Sequence, residues 1–131
     1  MKFLTLCKDG GPQSPVDSYT IIEIKSLFSI MFLKFNKGGR ENYHTHAFNA
    51  YTWFLFGEMV EEDFKGGSYH YKRSVLPKYT PREKNHRVLA KKTSWCFTVR
   101  GPWKNLWTEH TPQGDEVKLT HGRKVVKNEN P

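Results

Sequence analysis

The chain has 131 residues, a formal net charge of +8 and 15% aromatic residues. A chain of this length forms one domain and buries roughly two-thirds of its unfolded surface without disulfides, and the aromatic content excludes a disordered polyelectrolyte. No apolar run approaches the ~20 residues of a membrane-spanning helix and no secretory leader pattern opens the chain, so the expectation is a soluble, cytoplasmic protein with no membrane partner.

Residues 1–7 (MKFLTLC) predict an edge strand, and residues 8–18, with two glycines and two prolines, predict a loop. Residues 19–25 and 27–36 are rich in β-branched and aromatic side chains and predict two strands; a Gly-Gly turn at Gly38-Gly39 follows. Asn42 to Glu62 is an aromatic run, predicted as one long bent strand or a hairpin pair pivoting near Gly57. A half-exposed strand is expected over 69–76, and Pro77 and Pro81 bracket an irregular segment. Residues 86–90 and 93–100 read as two strands around Lys91-Lys92, and residues 103–111 as the last core strand. A turn over 112–115 and a short strand over 116–119 precede a polar, frayed tail from Thr120 to Pro131. Many short strands, punctuated by glycine and proline and with no long amphipathic helix, predict an all-β sandwich or barrel.

The positive charge is regional. From Asp63 to Lys104, eleven basic residues stand against Asp63 and Glu83, an excess of +9. Such a segment marks either solvated outer strand faces or a surface for an anionic partner such as a nucleotide or nucleic acid.

His44 and His46 flank one residue. Strand alternation turns both side chains to one face, ~7 Å apart along the backbone, where two imidazoles can converge on one ion. Alone, this spacing is equally that of two polar strand-end residues.

Gly38, five residues, then His44-Thr45-His46 and later Gly57 resemble the first motif of the cupin superfamily, G(x)5HxH(x)3–4E(x)6G. Pro81-Arg82-Glu83-Lys84-Asn85-His86 resembles the second, PxGxxH. A finer likeness, to uncharacterised bacterial and phage cupin-like proteins, rests on His44, His46, Asn49, Gly57, His86, Arg87, Gly101, Pro102, Trp107, Pro112 and Gly114. The resemblance implies one cupin-like domain over 1–131, a double-stranded β-helix or jelly-roll barrel with little helix. It also implies a divalent metal (iron, manganese, nickel or zinc) held by His44, His46 and His86, and a homodimer paired through strand edges.

The chain departs from the pattern at Ala50, where the first-motif glutamate falls, at Glu83 in place of the second-motif glycine, and at Ala47 in place of the proline after the HxH. A three-histidine set without a carboxylate resembles that of thiol dioxygenases. It leaves the full dipositive charge in the pocket, which favours a small anionic ligand. The function this implies is a metal-dependent oxygenase or isomerase; the alternative is a non-catalytic cupin that binds an anionic ligand or a host macromolecule through its basic segment.

Arg40 and Arg100 are the candidate clamps for an anion. Asn49 and Glu83 are candidate oxygen donors, and Trp107 with Trp103 a candidate pocket edge. Arg87 follows a candidate ligand and so points to the opposite face. Cys96 lies mid-strand and reads as a buried, inert thiol; no catalytic residue is assigned.

Overall fold

A computed structural model describes residues 1–9, 14–39, 43–104, 106–110 and 115–120, and the backbone of 124–125. Among the described residues there is no helix, and hence none able to cross a membrane. The described residues form twelve strands: β1 Lys2–Lys8, β2 Val16–Ile24, β3 Phe28–Phe35, β4 Gly38–Gly39, β5 Tyr43–His44, β6 Ala50–Asp63, β7 Ser68–Tyr71, β8 Lys78–Thr80, β9 His86–Arg100, β10 Trp107–His110, β11 Glu116–Thr120 and β12 Lys124–Val125. The architecture is all-β, as the strand pattern predicts, and has the jelly-roll arrangement that the resemblance implies.

β9 organises it. Its C-terminal half pairs with β3 (Leu33 opposite Cys96), its N-terminal half pairs with β4 and β5, and β6 runs antiparallel along nearly its whole length. The expected break at Lys91-Lys92 does not occur. β9 is a single 15-residue strand, and the irregularity is taken up by β6, whose register shifts between Phe54 and Met59.

Gly57 makes that shift feasible. Its φ is +110, a region L side chains rarely adopt. A Cβ there would lie 2.1 Å from the Ser94 hydroxyl oxygen, which accepts a hydrogen bond from the Glu58 N–H at 2.9 Å. The aromatic run is therefore one bent strand, as expected, but it starts only at Ala50.

Other predicted boundaries move as well. Strand β2 begins at Val16, inside the predicted loop; β7 ends at Tyr71; and Lys78–Thr80, predicted irregular, pairs with Ala50–Thr52. The tail is not wholly frayed, because Lys124 and Val125 pair with Thr120 and Leu119. The predicted turn over 112–115 falls mostly outside the described residues.

Inward-facing Val16, Met31, Leu33, Phe54, Met59, Ala90 and Cys96 form the main apolar core. Ala47, Phe48 and Ala50 form a second cluster against Trp103 and Trp107. The outward face of the same strands is also aromatic. Tyr19, Trp95 and Phe56 pack in a row across β2, β9 and β6, and Phe32, Phe97 and Trp53 in another across β3, β9 and β6.

Candidate metal centre

His44 ends the two-residue strand β5, opposite His86 at the start of β9 and Glu109 of β10. His46 lies beyond β5, in the irregular link to β6; its N–H donates to the Arg82 carbonyl (2.9 Å). The ladder of β5 ends at His44, but the His44 and His46 rings converge on one side as their spacing predicts; Thr45 between them is held by its N–H to the Thr108 carbonyl at 2.8 Å, and the chain bends only at Ala47 and Phe48.

The three imidazoles form a near-equilateral triangle. Ring centroids lie 4.8 Å (His44–His46), 4.9 Å (His46–His86) and 5.1 Å (His44–His86) apart, with planes steeply inclined at 62–77°. One nitrogen from each ring lies within 4.8 Å of the others, so the cluster is able to coordinate a metal ion. The Nε2 atoms of His46 and His86 are 3.4 Å apart. That is the separation of two ligand atoms each ~2.1 Å from one tetrahedral ion. The donor set fits a borderline divalent metal.

Glu61 fixes the orientation of His86. Its carboxylate, 2% exposed, lies 2.7 Å from His86 Nδ1, so His86 donates its Nδ1–H there and turns Nε2 toward the other rings. Lys84 donates to the other Glu61 oxygen at 2.7 Å, and Lys78 donates to the oxygen that His86 uses. Burial opposes the Glu61 charge, but these three donors outweigh it and hold the carboxyl far below the usual carboxylate range. Burial lowers the Lys78 ammonium, a loss that Glu61 only partly offsets. Burial together with the nearby Glu61 charge pushes the Tyr71 hydroxyl up to about 12.

Two cavities adjoin the histidines. The first, about 120 Å³, lies inside the barrel and is lined by all three histidines, by apolar Leu33, Phe54 and Met59, and by Thr52, Thr98 and Lys78. The second, about 320 Å³, is bounded by His44, His46, Trp103, Trp107 and the buried carboxylates of Glu23 and Glu109. Asp9, Phe48 and Arg100 line both.

Arg100 reaches the site already engaged. It is 5% exposed and makes a bidentate pair with Asp9 (3.2 and 2.8 Å), with its guanidinium carbon 4.3 Å from the centre of the Phe48 ring. Trp107 and Trp103 edge the second cavity, as their positions suggest. Asn49 lines neither; its side-chain oxygen accepts the Arg82 N–H at 2.8 Å, and its carbonyl accepts the Gly101 N–H at 2.8 Å, tying two loops together. Glu83 is exposed and pairs with Arg82. Arg87 points away from the histidines, as alternation predicts, to Glu62 and the Tyr43 ring. Arg40 lies outside the described residues.

The basic segment is partly neutralised in place. Of its eleven cations, Lys78, Lys84, Arg82, Arg87 and Arg100 each pair with a carboxylate. Asp9, Glu61, Lys78, Glu23 and Glu109 are among the polar residues at the site that the sequence does not single out.

Cys96 is fully buried, with its thiol 3.7 Å from the Met59 sulfur, and burial pushes it up to about 12. It stays protonated at neutral pH, which suits an inert thiol rather than a nucleophile. A maleimide at pH 8 is expected to modify one thiol per folded chain, the exposed Cys7, and two after denaturation. Mass spectrometry of the labelled protein checks this.

No protein-family model matches the chain, and no curated protein matches it significantly. Solved structures do. Acetylacetone dioxygenase from Acinetobacter johnsonii superposes with a TM-score of 0.59 at 11% identity, over 90% of this chain and 80% of that one. Ectoine synthase from P. lautus gives 0.58 at 15% identity, over 70% and 67%. An RmlC-like cupin from Shewanella frigidimarina gives 0.58 at 14% identity, over 76% and 84%. At such identities the likeness establishes the fold alone, and that fold is the cupin double-stranded β-helix.

Proposed function

We propose that this cupin-fold chain holds one divalent metal ion (iron, manganese, nickel or zinc) through His44, His46 and His86, and uses it to bind or transform a small anionic molecule. The observation that carries the reading is the convergence of three imidazoles, one locked in orientation by a buried carboxylate. A metal bound there supplies Lewis-acid chemistry, or redox chemistry if it is iron.

The chain's own residues set the rest. Ala50 brings no carboxylate ligand to the cavity, and Glu61, which also lines it, is held by Lys78 and Lys84, so an anionic ligand offsets the dipositive charge that three neutral ligands leave on the ion. The apolar wall of Leu33, Phe54 and Met59 limits water beside the histidines, and the Thr52 and Thr98 hydroxyls in the same cavity are bonded to each other at 3.1 Å, with Thr98 donating to the Tyr51 carbonyl. An anion entering beside Arg100 meets a guanidinium already bonded to Asp9, so binding there exchanges one carboxylate for another. The 120 Å³ of the inner cavity suits a molecule of a few heavy atoms.

Metal analysis of tag-free protein tests the reading. About one ion per chain is expected for the wild type, and almost none for His44→Ala or His86→Ala. Substoichiometric metal that is unchanged in both variants would remove the site.

A further inference from the structure

The two cavities beside the histidines share a wall. Asp9, Phe48 and Arg100 line both, so these side chains stand between the outer space of about 320 Å³ and the inner one of about 120 Å³. Two of the three are fixed in place. Arg100 is the last residue of β9, paired with Ser29 on one side and Ala50 on the other, and its guanidinium carbon lies 4.3 Å from the centre of the Phe48 ring. Phe48 in turn contacts the His46 ring (5.4 Å) and the Trp103 ring (5.1 Å).

Asp9 is held differently. It lies just beyond β1, with its side chain 33% exposed against 6% for that of Arg100. Its backbone is pinned, because its N–H donates to the Val16 carbonyl at 2.9 Å and its carbonyl accepts the Ser14 hydroxyl at 2.6 Å. A step between staggered rotamers therefore takes the carboxylate away from Arg100 while the backbone stays where it is. Among the described residues, Asp9 supplies the only carboxylate that Arg100 contacts. A buried guanidinium without a partner is costly, so Asp9 leaves in exchange for another anion. Its two bonds, 3.2 and 2.8 Å, show which anion fits: they are the fork that a planar carboxylate makes with a guanidinium.

We propose that Asp9 is a built-in competitor for the ligand of the inner cavity. The ligand is a short carboxylic acid whose carboxylate replaces that of Asp9 on Arg100 and whose far end reaches the histidines. Contact of that far end with an ion rests on the metal site proposed above; the exchange at Arg100 stands without it. Asp9 thereby sets specificity. Its carboxylate is tethered beside the guanidinium, and any free carboxylate binds only in the fraction of chains from which Asp9 has swung away. A simple monocarboxylate has nothing further with which to offset that loss. A carboxylate that also bonds the ion gains a second, linked contact and displaces Asp9.

Titration of the full chain with acetate at constant ionic strength, followed through the nitrogen-15 signals of the Arg100 side chain, tests the proposal. Asp9→Ala is expected to reach half-saturation at about 10–100-fold less acetate than the wild type, the gain from removing a competitor that leaves the site open in roughly 1–10% of chains. Acetamide, neutral and of the same shape, should move the signals of neither. His86→Ala should respond to acetate as the wild type does, so a metal site that fails leaves this result standing. Should Asp9→Ala fold poorly, its melting temperature gives a second reading: acetate is expected to raise it more than chloride does, with Asp9→Asn, which keeps an acceptor oxygen, affected less. Equal half-saturation in the wild type and Asp9→Ala would overturn the proposal. So would an unstable Asp9→Ala that acetate does not restore, or a response that vanishes in His86→Ala, which would put the anion on the ion instead of on Arg100.

Discussion

Glu61→Ala is expected to destabilise the fold by about 3–5 kcal/mol, the cost of breaking a buried, hydrogen-bonded ion pair by removing one partner. The carboxylate accepts from His86, Lys84 and Lys78 together, so the substitution leaves two part-buried ammonium groups and a buried imidazole N–H without their acceptor. Urea denaturation measures the loss. Glu61→Gln retains an acceptor but not the charge and should fall between wild type and alanine. Replacing Lys78 by methionine in the alanine background should restore part of the stability, because it removes one of the stranded charges and fills its space with apolar volume.

The same pair sets a pH dependence. The folded Glu61 carboxyl lies well below the ordinary value of ~4.3. Its contribution is therefore complete above that value and is lost as the pH falls through it toward the lowered folded value. The stability gap between wild type and Glu61→Gln should narrow below about pH 4.

Added divalent metal is expected to raise the melting temperature of the wild type and leave that of His86→Ala unmoved. A ligand that binds only the folded state stabilises it by about 2.7 kcal/mol at a hundredfold excess over Kd. For a small domain, that shifts Tm by roughly 10 °C or more. Calorimetry with and without zinc, manganese or iron(II) under argon measures the effect and ranks the metals. Glu61→Gln should still respond, at metal concentrations about 10–100-fold higher, because it disturbs the orientation of one ligand rather than removing it.

Much of the fold was legible because β-strand signals are local. Glycine and proline punctuation located most strands, and the three histidines stood out by their spacing within two separated motifs. Glu61 was not legible, for a specific reason. Counting by twos from inward-facing Phe54 places Glu62 inside and Glu61 outside. The register shifts around Gly57 invert that parity, so Met59 and Glu61 face inward and Glu62 faces Arg87. Nothing in the local sequence announces a bulge beyond the glycine itself. Arg100 illustrates the converse. Its inward orientation followed from alternation, but its partner Asp9 is 91 residues away, and no local pattern links the two. Asn49 sits beside the site in sequence, yet its side chain serves the loop at Arg82, because a backbone N–H there needs an acceptor.

X-ray absorption at the metal edge of the loaded protein tests the central claim most directly. Three imidazole nitrogens in the first shell at ~2.0–2.1 Å for zinc, with one imidazole lost in His86→Ala, is the predicted result. A first shell of oxygens alone, or one unchanged by that substitution, would contradict it.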